Sequence, residues 1–168
     1  MAGPQEPLLF RRTVGENIRY GNPQATKREV QQAIDLACCD CAIRKLPRGL
    51  ASSLDEPGVG LSRGELQRIA LARTLIKSAQ LLLLDEATAN LDPITQTELH
   101  RAVLGSIRRD QTLIVVTHRL AVCEHVDRVL LVAHGQLVAA GRHQDLLTSS
   151  ALYRDLWAHS VAASPPSC

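Results

Sequence analysis

The residues best suited to chemistry in this chain stand at the ends of apolar or amphipathic runs. Leu81-Leu82-Leu83-Leu84 is apolar and delivers two carboxylates, Asp85 and Glu86, at its C-terminal end. Layered α/β sheets gather ligands beyond the carboxyl ends of their strands. Asp85 in that position is suited to hold Mg2+, directly or through water. Glu86 is suited to take a proton from an attacking water or to orient it. The plainer reading is that strand-ending carboxylates cap the helix that follows. Ser62 and Gly64 open a predicted helix, where orphan N–H groups and the helix dipole favour an anion. Gly64 would let backbone approach a phosphate closely, although a serine N-cap beside a glycine has the same appearance. His118 follows the β-branched run Thr112–Thr117, so it too stands at a strand end, where an imidazole can donate to a phosphate oxygen. Gln5, in an N-terminal loop, carries little signal alone.

The elements that must position these groups are readable from periodicity. Pro4 and Pro7 keep residues 1–12 irregular. Thr13 is placed to cap a short helix over Val14–Arg19, and Gly21, Asn22 and Pro23 make a turn. Thr26 with Glu29 has capping-box spacing, and Val30, Ala33, Ile34 and Ala37 share one face of a helix expected to reach about Cys39. A second helix is expected over Cys41–Leu46, then loop over 48–62, with Pro57, Gly58 and Gly60. From Arg63 the spacing of Leu66, Ile69, Ala70 and Leu75 predicts a helix. Leu81–Leu84 and Thr112–Thr117 predict buried parallel strands. Between them a helix runs to about Arg108, with Asp92 as cap and Pro93 in its first turn. A short helix is expected over Arg119–Glu124. Val126–Ala133 and Gln136–Ala140 predict two strands joined by the turn His134-Gly135, followed by helices near 143–148 and 150–158. Ser160–Cys168, with Pro165-Pro166, predicts a frayed tail.

Strands alternating with helices after residue 78 give an α/β layered fold with a parallel sheet. The residues before it read as helices and loops. The expected division is therefore a helical part over 1–78, an α/β core part over 79–158 and a flexible tail over 159–168.

Composition excludes some classes of function. Aromatics make up 2% of 168 residues, which argues against base-stacking recognition of nucleic acid. A formal net charge of +2 implies no strongly charged partner. The five cysteines, three of them clustered at Cys38, Cys39 and Cys41, offer no paired CxxC units for zinc and read as reduced, small hydrophobes. No apolar run approaches the ~20 residues that span a bilayer, and the first ten residues do not resemble a signal peptide.

The order of these pieces is more specific than any one of them. The chain resembles the ATP-binding-cassette (ABC) ATPase domain, exporter type, over about residues 4–158. Pro4-Gln5-Glu6-Pro7-Leu8-Leu9-Phe10 is similar to the family's Q-loop. Thr13-Val14-Gly15-Glu16-Asn17-Ile18 with Tyr20-Gly21 resembles the exporter-type continuation. Asp55-Glu56-Pro57-Gly58 stands where exporters carry an acidic loop near the membrane-domain contact. Leu61-Ser62-Arg63-Gly64-Glu65 is similar to the signature LSGGQ, Leu81–Glu86 to Walker B, Ala89-Asn90-Leu91-Asp92 to the D-loop, and Thr117-His118-Arg119 to the switch-histidine loop.

The resemblance implies a P-loop NTPase-like fold with a helical subdomain, ATP and Mg2+ as cofactors, and ATP hydrolysis coupled to export. It implies that Asp85 holds Mg2+, Glu86 is the general base, His118 contacts the γ-phosphate, and Gln5 contacts Mg2+ or the attacking water. Ser62 and Gly64 would bind the γ-phosphate of an ATP seated on a second nucleotide-binding domain, head to tail, and Asp92 would couple the two sites. The other implied partner is a transmembrane domain, which would hold the chain at the cytoplasmic face of a membrane. Nucleic acid is not an expected partner.

The sequence departs from the family in two places. Arg63 and Glu65 stand where the signature has glycine and glutamine, and tuned rather than lost activity is expected. No GxxxxGK[ST] occurs, because the lysines are Lys27, Lys45 and Lys77 and none follows a glycine. In this family that loop lies upstream of the Q-loop, so the expectation is a domain truncated at the Q-loop, with an exposed strand edge or face and marginal stability alone. Two other readings stay open: a non-catalytic module lending its signature to another ABC domain, and a non-transport ABC ATPase.

Overall fold

The computed structural model describes residues 9–56, 60–77, 79–86 and 91–162. Gln5, the expected D-loop residues Ala89 and Asn90, and the Pro57-Gly58 turn lie outside the described residues. The chain divides into two units, Met1–Val116 and Thr117–Cys168, and the boundary expected near residue 78 falls inside the first.

Three helices of the first unit begin at carboxylate-locked caps. Helix α1 covers Val14–Arg19 and α2 covers Lys27–Leu36. Thr13 caps α1: its hydroxyl accepts from the Glu16 N–H at 3.1 Å while the Glu16 carboxylate accepts from the Thr13 N–H at 2.9 Å. Thr26 and Glu29 repeat the arrangement on α2. Such reciprocal bonding satisfies two orphan donors at a helix start. Helix α2 stops short of Cys39 because Cys38 takes a positive φ of 52°, a left-handed conformation that ends a helix. The next helix, α3 (Asp40–Arg44), therefore starts two residues after the break. Within the loop that follows, Gly49–Ala51 forms a single 3-10 turn.

Helix α4 (Arg63–Leu75) leads to strand β1 (Leu81–Asp85), helix α5 (Pro93–Ser106) and strand β2 (Thr112–Val116). The two strands pair in parallel, Leu81 opposite Thr112 through Asp85 opposite Val116, with α5 as the crossover. Val14, Ile18, Ile34, Ile69, Leu84, Leu99 and Val103 form one buried cluster joining the helices to the sheet. Against the expectation of buried strands, the sheet buries only one face. Leu84 is 3% exposed, but Leu81, Leu83, Ile114 and Val116 on the other face are 45–58% exposed. Strands this uniformly apolar suit a sheet covered on both sides, and here the helices of the unit cover one.

The second unit holds a 3-10 turn over Leu120–His125, a hairpin of β3 (Val129–Ala133) and β4 (Gln136–Gly141), and helices α6 (His143–Ser149) and α7 (Ala151–Ala162). His134 and Gly135 both take positive φ, 50° and 74°, the type I′ geometry that matches strand twist in a two-residue hairpin. Strand β3 begins three residues later than its apolar run, at Val129. Helix α7 runs through Ser160, Val161 and Ala162, a stretch that the sequence assigns to a frayed tail. Cys123, Val129, Leu146 and Tyr153 form this unit's own core.

Candidate functional site

The C-terminal ends of β1 and β2 are level, since Asp85 is registered on Val116. The Glu86 N–H donates to the Val116 carbonyl at 3.0 Å. Glu86 itself takes a φ of 43°. A non-glycine residue held in the left-handed region costs on the order of 1–3 kcal/mol, and such strain clusters at functional sites. The strain breaks the strand line at the residue expected to act as base, and both Asp85 and Glu86 are solvent-exposed. Two adjacent exposed carboxylates suit Mg2+, which keeps several waters and takes one or two carboxylates together with phosphate oxygens. Among the described residues no group of three or more His, Cys, Asp or Glu side chains forms a metal cage.

Ser62 is the N-cap of α4, and Gly64 is the second residue of that helix. The Ser62 hydroxyl accepts from the Glu65 N–H at 3.3 Å and donates to the Glu65 carboxylate at 2.9 Å, while the Ser62 N–H donates to the same carboxylate oxygen at 2.8 Å. The other Glu65 oxygen stands 3.6 Å from the Lys45 ammonium, and the Glu65 side chain is only 13% exposed. The Ser62 backbone bond, foremost, holds the Glu65 carboxyl below the usual carboxylate range; burial opposes it, and Lys45 and Arg68 assist. Sequence reasoning misses both the box and Lys45. The S-x-x-E spacing that reveals such a box is present at Ser62–Glu65, as the equivalent T-x-x-E spacing is at Thr26–Glu29.

Asp92 caps α5, its carboxylate accepting from the Thr95 N–H at 3.0 Å. Hydrogen bonding from Thr95 holds that carboxyl below its ordinary range. His118 is exposed and belongs to the second unit, just beyond Val116 in the chain, where the Thr117 hydroxyl accepts from the Arg119 N–H at 3.0 Å. The structure thus brings Asp85 and Glu86 together at one strand end and Ser62 and Gly64 together at one helix end.

A cleft of about 510 Å3 opens beside the segment that follows Gln5, lined by Leu9, Phe10, Arg11, Leu54, Asp55 and Leu66. Phe10 packs against Tyr20 with ring centroids 4.4 Å apart, and the Arg73 guanidinium lies 5.6 Å from the Phe10 ring centre. Antiparallel bonds tie the two walls: the Val14 N–H donates to the Ser52 carbonyl at 3.0 Å and the Leu54 N–H to the Arg12 carbonyl at 3.1 Å.

A family model described as "ABC transporter" matches residues 2–89, just over half of the chain. The chain belongs to the ABC transporter family. It is similar to the mitochondrial potassium channel ATP-binding subunit of Xenopus tropicalis, 45% identical over 90% of this chain and 22% of that protein. It is 40% identical to the probable multidrug resistance ABC transporter ATP-binding/permease protein YheI of Bacillus subtilis, over 90% of this chain and 26% of that protein. A solved structure of a bacterial Atm1-family ABC exporter with ATP bound matches with a TM-score of 0.82 at 37% identity, covering 96% of this chain and 28% of that one. The chain therefore spans about a quarter of the length of these ABC relatives. The fold is that of an ABC ATPase, in part. The ABC family binds ATP and is of ATPase type, and similar proteins are named as an ATP-binding/permease protein and an ATP-dependent lipid A-core flippase. Among the described residues of this ABC chain no helix is long and apolar enough to cross a membrane.

Proposed function

We propose that this chain is the hydrolytic and signature-bearing part of an ATP-hydrolysing domain that powers export across a membrane. The observation that carries the reading is the end of the parallel sheet: Asp85 finishes β1, and Glu86 follows in strained left-handed backbone bonded to Val116 at the level end of β2. Asp85 would hold Mg2+ with water, and the ion would supply charge neutralisation at the phosphates. Glu86 orients a water and takes its proton. By the family resemblance alone, His118 would contact a γ-phosphate and Gln5 would contact Mg2+ or the attacking water. Ser62 and Gly64 present the start of α4 to a phosphate on a second nucleotide-binding domain, arranged head to tail, and Asp92 at the start of α5 couples the two sites. In this reading residues 1–78 are the Q-loop and helical signature part and 79–158 belong to the α/β core part.

The cleft lined by Phe10, Leu54 and Asp55 supports a transmembrane domain as partner, because its walls come from the Q-loop exit and from the acidic loop. That partner would hold the chain at the cytoplasmic face. The test is ATP hydrolysis by a membrane-reconstituted transporter assembled with this chain, wild type against Glu86→Gln. Removing a general base is expected to slow turnover by about 10²-fold or more. Equal rates in the two proteins would sink the reading.

A further inference from the structure

The start of α4 already holds an anion, and it is the protein's own. The Ser62 hydroxyl proton and the Ser62 N–H both point to one oxygen of Glu65, at 2.9 and 2.8 Å. A hydroxyl has a single proton to donate, so while that bond stands Ser62 has none to offer a phosphate. The carboxylate also places a negative charge within the first turn, where an incoming phosphate would benefit from the helix dipole. Its second oxygen is balanced by Lys45 at 3.6 Å, across from the end of α3. Glu65 is largely buried while Lys45 is mostly exposed, with side-chain exposures of 13% and 74%, so the carboxylate is the fixed member of the pair and the ammonium the adjustable one.

From this arrangement we infer that Glu65 is a built-in competitor for the phosphate-binding end of α4, and that Lys45 sets how strongly it competes. The inference rests on the proposed role of Ser62 and Gly64 as contacts to a phosphate, and adds a regulatory element to that site. A phosphate engages Ser62 by drawing the hydroxyl proton off Glu65, and does so against the Glu65 charge. Lys45 offsets part of that charge. A cation, partner acid or modification that changed Lys45 would therefore retune the signature end without touching Ser62.

Substitutions separate these roles because glutamine keeps an acceptor for the capping box while removing the charge. The full 168-residue chain, labelled with nitrogen-15, is titrated with an ATP-loaded second nucleotide-binding domain while the Gly64 amide resonance is followed, with the nucleotide-free domain as control. Glu65→Gln is expected to lower the half-shift concentration by about 5-fold, and Lys45→Gln to raise it by about 2-fold, the range that charges in a first helical turn produce. In the double variant the Lys45 effect should vanish, since coupled groups give non-additive cycles. Ser62→Ala reports on the underlying site. If Ser62→Ala weakens binding while Glu65→Gln leaves it unchanged, the competitor role is overturned and the site stands. If Lys45→Gln acts equally with and without Glu65, the coupling is overturned. If the ATP-loaded domain shifts Gly64 no more than the nucleotide-free one in every variant, or Ser62→Ala is silent, the phosphate reading of the site fails and the inference with it. The unshifted remainder of each spectrum shows that the variant is folded.

Discussion

Asn17 holds the peptide backbone of Phe10 through both ends of its side-chain amide. Its carbonyl accepts from the Phe10 N–H at 2.8 Å and its NH2 donates to the Phe10 carbonyl at 3.0 Å. The same NH2 reaches the Thr13 carbonyl at 3.0 Å, and the residue is fully buried. One side chain of α1 thereby fixes the stretch that leads out of the expected Q-loop and forms one wall of the cleft.

Asn17→Ala should therefore be among the costly substitutions. It removes three side-chain hydrogen bonds at about 1 kcal/mol each and strands the Phe10 N–H, while the Phe10 carbonyl keeps the Arg12 N–H and the Thr13 carbonyl keeps the N–H of residue 17. A loss of about 3 kcal/mol is expected, seen as a lower urea midpoint at unchanged slope. A change below about 0.5 kcal/mol would mean that water replaces the amide freely, as at ordinary surface sites.

Two glycines should respond in opposite directions to alanine. A Cβ on Gly21 would stand 2.0 Å from the Arg73 carbonyl oxygen and 2.7 Å from an Ile76 methyl. The turn after α1 packs there directly on backbone of α4, which cannot yield as a flexible side chain would. Gly21→Ala should cost about 2 kcal/mol or more, in the range of overpacking. Gly105 lies in the last turn of α5, exposed, and a Cβ there would meet nothing within 4 Å. Gly105→Ala should stabilise by about 0.5–1 kcal/mol through helix propensity. Thermal melts of the two variants check both signs at once.

Local chemistry makes much of this legible in the sequence. Thr13, Thr26, Asp92 and the His134-Gly135 turn signal their caps and hairpin through nearest neighbours alone, and the apolar runs at Leu81 and Thr112 signal parallel strands by composition. What is not legible depends on partners distant in the chain. Nothing local shows that Cys38 adopts a left-handed backbone and splits α2 from α3. Nothing local shows that Lys45 reaches Glu65, or that Asn17 folds back on Phe10. The β1–β2 pair reads as buried because its residues are apolar on both faces; which face is covered depends on the rest of the unit, whose helices lie on the Leu82 and Leu84 side. The order of motifs from Ser62 to His118 carries the family, since order survives where single residues are ambiguous.

The second unit rests on a buried polar pair. His143 Nδ1 lies 2.8 Å from the Tyr153 hydroxyl, and the His143 ring meets Trp157 edge-on with centroids 4.5 Å apart. Tyr153 is fully buried, and burial, with the Cys123 contact, pushes its phenol well above the usual range. Tyr153→Phe removes the hydroxyl and strands the ring nitrogen, at about 1–3 kcal/mol. Ultraviolet titration of the wild type should show the Tyr153 phenolate absent until the unit unfolds in alkali. Reversible ionisation by both tyrosines at about pH 10, the ordinary phenol value, without unfolding, would contradict the buried bond.

Acid should act on the capping carboxylates. Hydrogen bonds from their own caps hold Glu16, Glu29 and Glu65 below the ordinary glutamate value of 4.5. A carboxyl whose folded pKa is depressed contributes stability that is full above its unfolded value and is lost as pH falls through the folded one. Glu65 is the most informative of the three, being the least exposed and the one paired with Lys45. At pH 7 wild type should be more stable than Glu65→Gln, because glutamine keeps the acceptor and loses the charge that the Ser62 N–H and Lys45 favour. As pH drops below 4.5 Glu65 protonates, the side chain at this position becomes neutral in both proteins, and the difference in urea midpoint should close. Comparing the two proteins at each pH cancels every carboxylate and histidine they share, so the closing gap reports this one capping box. A gap that stays constant through the acid limb would place the stabilising effect of Glu65 in packing rather than in its charge.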